Sequence, residues 1–219
     1  MPVRAARQLG ELPYAHRLEP FDGDLRRDGT YDSVHFDGTE LEDAEGGGSG
    51  FTECAFSAAT VTRGRYRRTR FDDVWLEGVR IVGADLAESS WLDCEFTAGL
   101  LAGLQMHGAQ MRRVVFHNCK FDSVNLRASA LRDVSFVNCM LRDADFAGAT
   151  LTGVSFPGST LDGVSLEKAK LAKVDLREAA GLRITSGVEA LRGATISSLQ
   201  LLELAPALAQ VLGIGVDDR

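Results

Sequence analysis

The sequence lacks most of what would mark a secreted, membrane-spanning or nucleic-acid-binding chain. Four cysteines in 219 residues are too few for a disulfide scaffold and point to a reducing compartment, the cytoplasm. No run of roughly 18 uncharged apolar residues occurs, which excludes a membrane-spanning helix. The opening Met1-Pro2-Val3-Arg4-Ala5-Ala6-Arg7 has basic residues with no apolar stretch behind them, so no secretory signal is visible. Positive charge is scarce: 24 Lys and Arg stand against 31 Asp and Glu, a net charge of −7, which disfavours direct nucleic-acid binding. The 45% apolar and 25% charged residues are the balance of a soluble folded chain. The length allows one elongated domain or two small ones.

Catalytic constellations are missing as well. His16, His35, His107 and His117 have no metal-ligand spacing, and no nucleophile elbow, phosphate loop or dinucleotide fingerprint occurs. Gly148, Gly153, Gly158 and Gly163 recur every five residues and so read as corner residues, not a phosphate cradle. Asp72-Asp73 is expected on the solvated surface, a poor place for an acid–base pair. The expectation is no enzyme, no cofactor and no metal.

What is present is a period of five. All eleven Phe residues fall on positions ending in 1 or 6, and all 26 such positions from Phe51 to Leu176 hold Phe, Leu, Ile, Val, Met, Tyr or Trp. The residue two places earlier is nearly always small, as at Ala84, Ser89, Cys94, Gly99, Ala109 and Ala144; Leu104 is the bulky exception, and all four cysteines occupy this position. On an α-helix five residues advance by about 500°, so no apolar stripe would form. On a strand, five is odd and alternate large residues would face opposite ways. The chain must bend once per repeat, turning one large and one small residue into a narrow tube.

The runs Ala84-Asp85-Leu86-Ala87-Glu88, Ala144-Asp145-Phe146-Ala147-Gly148 and Val174-Asp175-Leu176-Arg177-Glu178 resemble the A(D/N)LXX signature of the pentapeptide-repeat family. The resemblance covers Phe51–Leu176 without a break and extends in weaker form back to Tyr31. It implies an all-β solenoid, a right-handed quadrilateral β-helix with four repeats per coil. Thirty repeats from Tyr31 to Leu176 would give about 7.5 coils, on the order of 36 Å at ~4.8 Å per coil.

Four sides put residues twenty apart in one column. One column would stack Phe36, Phe56, Leu76, Phe96, Phe116, Phe136, Phe156 and Leu176; the next, Leu41, Val61, Ile81, Leu101, Phe121, Leu141 and Leu161. Asn118 and Asn138 would share a corner. Cys119 and Cys139 would be neighbours within disulfide range, but with side chains pointing the same way; free thiols acting as interior filler are favoured over a redox or metal pair.

The ends depart from the pattern. Residues 1–30, with Pro2, Pro13 and Pro20, read as an irregular N-terminal cap over the first coil, residues 31–180 as the β-helix, and 181–219 as a terminal repeat with a short C-terminal α-helical cap. Gly46-Gly47-Gly48-Ser49-Gly50 is either a degenerate repeat or an outward bulge. The register lapses at Gly181 and Ser186 and returns at Leu191. Ser197-Ser198 can N-cap a helix from Leu199, broken or kinked near Pro206 and ending before Gly213. Leu199, Leu201, Leu202, Leu204, Leu208, Val211, Leu212 and Ile214 cover most of its circumference, the first seven being the candidates for an interface. One face suffices to cap a coil, so the rest points to a homodimer through this end.

Function is therefore expected on the outer faces, as a non-enzymatic protein-binding scaffold. The resemblance implies an alternative: family members that mimic duplex DNA bind DNA gyrase or topoisomerase IV and protect against quinolones or natural-product inhibitors. Residues 51–180 hold sixteen basic and sixteen acidic residues, so the rod is neutral, whereas DNA carries one charge per ~1.7 Å. Acid gathers at Glu77 and Glu95 and near Asp37, Glu40, Glu42 and Asp43. Against it stands the run Arg63, Arg65, Arg67, Arg68 and Arg70, able to grip a phosphate or acidic partner, although pairing with Glu42, Asp43, Glu45, Asp85 and Glu88 is favoured. Trp75 lies between column centres and is expected to face outward as a contact anchor.

Overall fold

The computed structural model describes residues 5–217. Three sides of the solenoid are parallel sheets. The first side begins at Thr30–Asp32 and ends at Lys170–Ala172; the second runs from Glu19–Pro20 and Val34–Asp37 to Ser135–Val137; the third runs from Glu40–Glu42 to Gly181–Ser186. The fourth side is held by single bridges linking Glu45, Arg65, Asp85, Gln105, Asn125, Asp145 and Ser165 in turn. Facing residues on adjacent coils are twenty apart, as in Phe96 opposite Phe116 and Phe121 opposite Leu141. This is the quadrilateral β-helix that the resemblance implies, with the bend in every repeat that the period of five requires.

Each bend is made two residues after a central apolar residue, in the left-handed backbone region. Asp93 (φ 55), Asn118 (φ 54) and Asn138 (φ 52) stand there, as do Gly148, Gly153, Gly158 and Gly163 with φ between 66 and 76. Asn, Asp and Gly tolerate that conformation best, which is why glycines recur at this spacing.

Inside, the expected columns form. Phe36 and Phe56 stack at 4.3 Å, Phe96 and Phe116 at 4.7 Å, Phe116 and Phe136 at 5.0 Å, and Phe136 and Phe156 at 5.1 Å. The first side adds Tyr31, Phe51, Phe71 and Trp91, the last pair with ring centroids 3.7 Å apart. The Trp91 indole N–H donates to Ser89 Oγ at 2.9 Å, so the small position also satisfies a large neighbour's polar atom. Other small residues close local hydrogen bonds: Ser159 Oγ donates to the Phe136 carbonyl (2.8 Å) and accepts from the Cys139 N–H (2.8 Å). The Cys139 thiol donates to the Phe116 carbonyl at 3.4 Å. All four cysteines are free and buried; burial pushes the thiols of Cys54 and Cys94 up to about 11 and about 12.

Gly46–Gly50 is a repeat, not a bulge. Glu45 bridges Arg65, the Gly46 and Gly48 N–H groups donate to the Arg65 and Arg67 carbonyls at 2.9 Å, and Gly50 pairs with Arg70. The missing side chain at Gly46 is compensated by Tyr66 on the next coil: a Cβ at Gly46 would come within 2.8 Å of the Tyr66 ring. At the other end, Thr160 faces Gly181 and Leu161 faces Leu182, a spacing of twenty-one, with irregularities after Asp162. One extra residue thus explains the lapse of register.

The C-terminal helix α1, Ser198–Leu212, is N-capped by Ser197 in a reciprocal box with Gln200 and ends at Gly213 (φ 68). It runs unbroken through Pro206, against the expected break. Pro206 is exposed, so water can take the carbonyl whose helical partner it removes. The Gln200 amide donates to the Leu176 carbonyl at 2.7 Å, tying α1 to the last coil.

The pairing of Gly46 with Tyr66 yields a test. Gly46→Leu overfills the tube and is expected to lower stability by about 1–3 kcal/mol in denaturant unfolding. Adding Tyr66→Leu, which restores the ordinary leucine-on-leucine column, should recover about 1 kcal/mol or more of that loss.

Candidate functional surfaces

The second side has two zones, because the N-terminal segment lies along it. Short 3-10 turns at Leu9–Glu11 and Ala15–Arg17 carry Leu12 and Tyr14 onto Ala55 and Trp75, all four buried. This corrects the expectation for Trp75. The residue does leave the tube, but it is fully covered (0% exposed), and its indole N–H donates to the Arg7 carbonyl at 3.1 Å. Glu95 is corrected too: 6% exposed, it accepts from the Arg7 backbone N–H (2.6 Å) and from its guanidinium (2.7 Å). Arg17 pairs with Glu53. So the N-terminal residues do not all cap the first coil. Phe21, stacked on Phe36 at 4.4 Å, and Leu25 close that end, while the preceding residues form a strap over the wall.

The strap alters titration beneath it. Asp73, expected on the solvated surface, is half-buried, and desolvation holds its carboxyl above the ordinary range. His117 is buried, and desolvation holds its imidazole below the ordinary range against the opposing pull of Glu95. Among the described residues no group of three or more His, Cys, Asp or Glu comes together to hold a metal.

Elsewhere many charges are paired from coil to coil. Arg63 grips Asp43 with two guanidinium nitrogens (2.7 Å each) and reaches Glu42 (2.7 Å). Arg113 pairs with Asp93 and Arg142 with Asp122, again twenty residues apart. Arg183 pairs with Asp162 at 2.6 Å, twenty-one apart, following the slip. Arg65 reaches Glu45 (3.1 Å), and Arg67 reaches Glu88 (3.0 Å) and Asp85 (3.6 Å). Of the acidic candidates, Glu42 and Asp43 are therefore engaged. Asp37, Glu40 and Glu77 are exposed without an ion pair among the described residues; Asp37 and Glu77 share one column of the second side but are separated by Ser57, and Glu40 lies on the third side. They form no continuous acidic stripe. Arg68 is exposed and lacks an ion pair among the described residues.

At the far end α1 divides into a docked and an open side. Leu204, proposed for the open side, is buried at 6% and faces inward with Gln200, where α1 meets the 3-10 turn Val188–Leu191. Leu208 is half-buried. Leu199 (67%), Leu202 (72%) and Leu212 (71%) stay open, as do Leu201 and Val211, and the apolar strip continues into Ile214 and Val216. Ile214 belongs to the sequence-predicted apolar set; Val216, further beyond the helix-ending glycine, was outside it.

Residues 89–166 match the family described as "Pentapeptide repeat region". No curated protein matches the sequence significantly. Among solved structures, HetL from the cyanobacterium Nostoc, a pentapeptide repeat protein involved in heterocyst differentiation regulation, is 16% identical. That match covers 78% of this chain and 90% of HetL, with a TM-score of 0.45. Full-length QnrB1, a plasmid-mediated fluoroquinolone resistance protein, is 17% identical over 90% of this chain and 96% of its own, with a TM-score of 0.33. Rfr23, a pentapeptide repeat protein from the cyanobacterium Cyanothece, is 15% identical over 61% of this chain and 91% of its own, with a TM-score of 0.20.

Two outcomes follow from the strap. Arg7→Ala leaves the Glu95 carboxylate buried without its cation, a loss of about 3 kcal/mol; the strap should lift and acrylamide should quench Trp75 in a Trp91→Phe background, where the intact strap protects it. The second concerns pH. Below about 6.5 the unfolded chain binds a proton that folded His117 resists, so stability should fall between about pH 7 and 5, and His117→Gln should flatten that fall. Asp73 acts with the opposite sign and lower in pH, since protonation of its half-buried carboxyl favours the fold.

Proposed function

We propose that this pentapeptide-repeat protein works without catalysis, as a rigid protein-binding scaffold of the cytoplasm that pairs through its C-terminal helices. The observation that carries the reading is the open side of α1. Docking on the last coil uses Gln200 and Leu204, while Leu199, Leu202 and Leu212 each remain at least 67% exposed. An apolar strip of that kind at one end of a chain is the mark of an interface, and a two-fold pairing of helices would bury it on both copies at once. No helix among the described residues is long and apolar enough to cross a membrane, so insertion of α1 as a membrane span is not the reading adopted. The free, buried thiols suit a reducing compartment.

Binding to a type II topoisomerase by imitation of DNA ranks second. Its support is the family's repertoire and the exposed acids at Asp37, Glu40 and Glu77. Against it, DNA would present about three charges for each ~4.8 Å coil, whereas here successive coils tie their acids to arginines.

Analytical ultracentrifugation tests the dimer. The wild type should sediment as a dimer at micromolar concentration, and Leu202→Glu with Leu212→Glu as a monomer with an unchanged β-sheet circular dichroism spectrum; a monomeric wild type at about 100 μM would remove the proposal. DNA gyrase supercoiling, with and without a fluoroquinolone, is expected to be neither inhibited nor rescued by the protein. Rescue abolished by Asp37→Asn with Glu40→Gln would reverse the ranking.

A further inference from the structure

The Gly46–Gly50 repeat does more than accept Tyr66: it removes side chains from the outer wall beside the densest cluster of positive charge in the chain. Gly47 and Gly50 present bare backbone, the Asp28 carboxylate lies against Gly48, and Ser49 is buried. The result is an open recess of about 420 Å³ lined by Arg27, Arg65, Arg67, Arg68 and Arg70 with Asp28 and Glu45, five cations against two anions in a chain of net charge −7.

The rule that neutralises charge elsewhere fails at this spot for a visible reason. Arg63, Arg113 and Arg142 each meet an aspartate twenty residues earlier. The residues twenty before Arg68 and Arg70 are Gly48 and Gly50. Twenty residues after Arg68 stands Glu88, which Arg67 engages at 3.0 Å; after Arg70 stands Ser90, the facing residue on the next strand. Arg27, Arg68 and Arg70 therefore have no ion pair among the described residues, and all three are exposed. Two backbone groups of the glycine repeat are engaged: the Gly48 N–H donates to the Arg67 carbonyl, and the Gly47 carbonyl accepts from the Asp28 N–H, both at 2.9 Å. The side chains of the recess free to ligate an anion are guanidiniums.

We propose that this recess is a binding site for a phosphate-type oxyanion, held by Arg68 and Arg70 with Arg27 opposite. Guanidinium forks match the oxygens of a phosphate two at a time, and the bare backbone leaves room for them to close on it. The group is carried either by a small free anion or by a phosphorylated side chain of a partner protein. Duplex DNA is not the occupant favoured, because the column beyond Arg65 continues as Asp85, Gln105, Asn125 and Asp145, so the positive zone does not extend along the rod.

Isothermal titration of the full chain at low ionic strength, with pyrophosphate as the probe, tests the assignment. Saturable one-to-one binding is expected, weakened about tenfold or more by Arg68→Gln with Arg70→Gln and changed less than about twofold by Arg63→Gln, whose guanidinium is engaged outside the recess. Gly50→Glu supplies the missing acid beside Arg70. A Cβ there meets nothing within 4 Å, so binding should be lost while the melting temperature holds or rises. A non-saturating signal indifferent to these changes, or an equal loss with Arg63→Gln, would overturn the proposal. A phosphoserine peptide and its unphosphorylated form separate the sources: phosphate-dependent peptide binding tighter than pyrophosphate assigns a protein-borne group, and pyrophosphate binding alone assigns a free anion. Binding of a duplex with a salt slope above that of about three phosphates would replace the site with a DNA-tracking surface and so refute it.

Discussion

The narrowness of the tube governs everything else. Coils spaced by backbone hydrogen bonding leave room on each side for one large side chain and one small one, and the stacked rings of Phe96, Phe116 and Phe136 occupy that room. Burial at this density tolerates little change of volume. It explains why the small position takes Ala, Gly, Ser, Thr, Cys or at most Val, with Leu104 the one larger exception, and why a hydroxyl or thiol there can be spent on a nearby carbonyl, as in Ser159 and Cys139. It also explains how one defective repeat survives. Gly46 withholds a side chain and Tyr66 supplies the surplus. The cysteines follow from the same constraint: they are buried fillers that donate weak hydrogen bonds, and burial holds the Cys54 and Cys94 thiols above their ordinary range.

The inside of this fold was legible in the sequence because the period of five acts on every interior position. The columns, the left-handed corners at Asn118, Asn138 and Gly153, the capping box at Ser197 and the helix stop at Gly213 all depend on local rules. What the period could not convey is what lies against the outer wall. Trp75 and Glu95 occupy outward positions, and register alone cannot distinguish an outward side chain facing water from one facing a non-repeating strap. Leu204 was hidden for a related reason: a helix apolar nearly all round does not declare which face docks. The arginine run illustrates the same boundary. Pairing with acids on adjacent coils holds for Arg63, Arg65 and Arg67 and not for Arg68 or Arg70, and the difference lies in what stands twenty residues away.

The outer surface thus divides into regions of different chemistry on one rigid frame. The ion-pair ladders are solvated and individually weak, and their effect is to leave the rod without a strong field. Three places differ from those ladders: the strap with its buried Arg7–Glu95 pair, the glycine recess with its cluster of unmatched arginines, and the apolar strip of α1. The first is an internal interface, and the other two are where the chain has charge or apolar surface that its own fold does not use.

Cysteine pairs introduced at corners test the geometry behind all of this most directly. Asp93 and Arg113 are twenty residues apart and in contact across adjacent coils. Asp93→Cys with Arg113→Cys should therefore oxidise to a disulfide under mild conditions, while Asp93→Cys with Asn118→Cys, twenty-five apart and one corner further round, should stay reduced. Equal cross-linking of both pairs, or of neither, would contradict a coil of four five-residue sides.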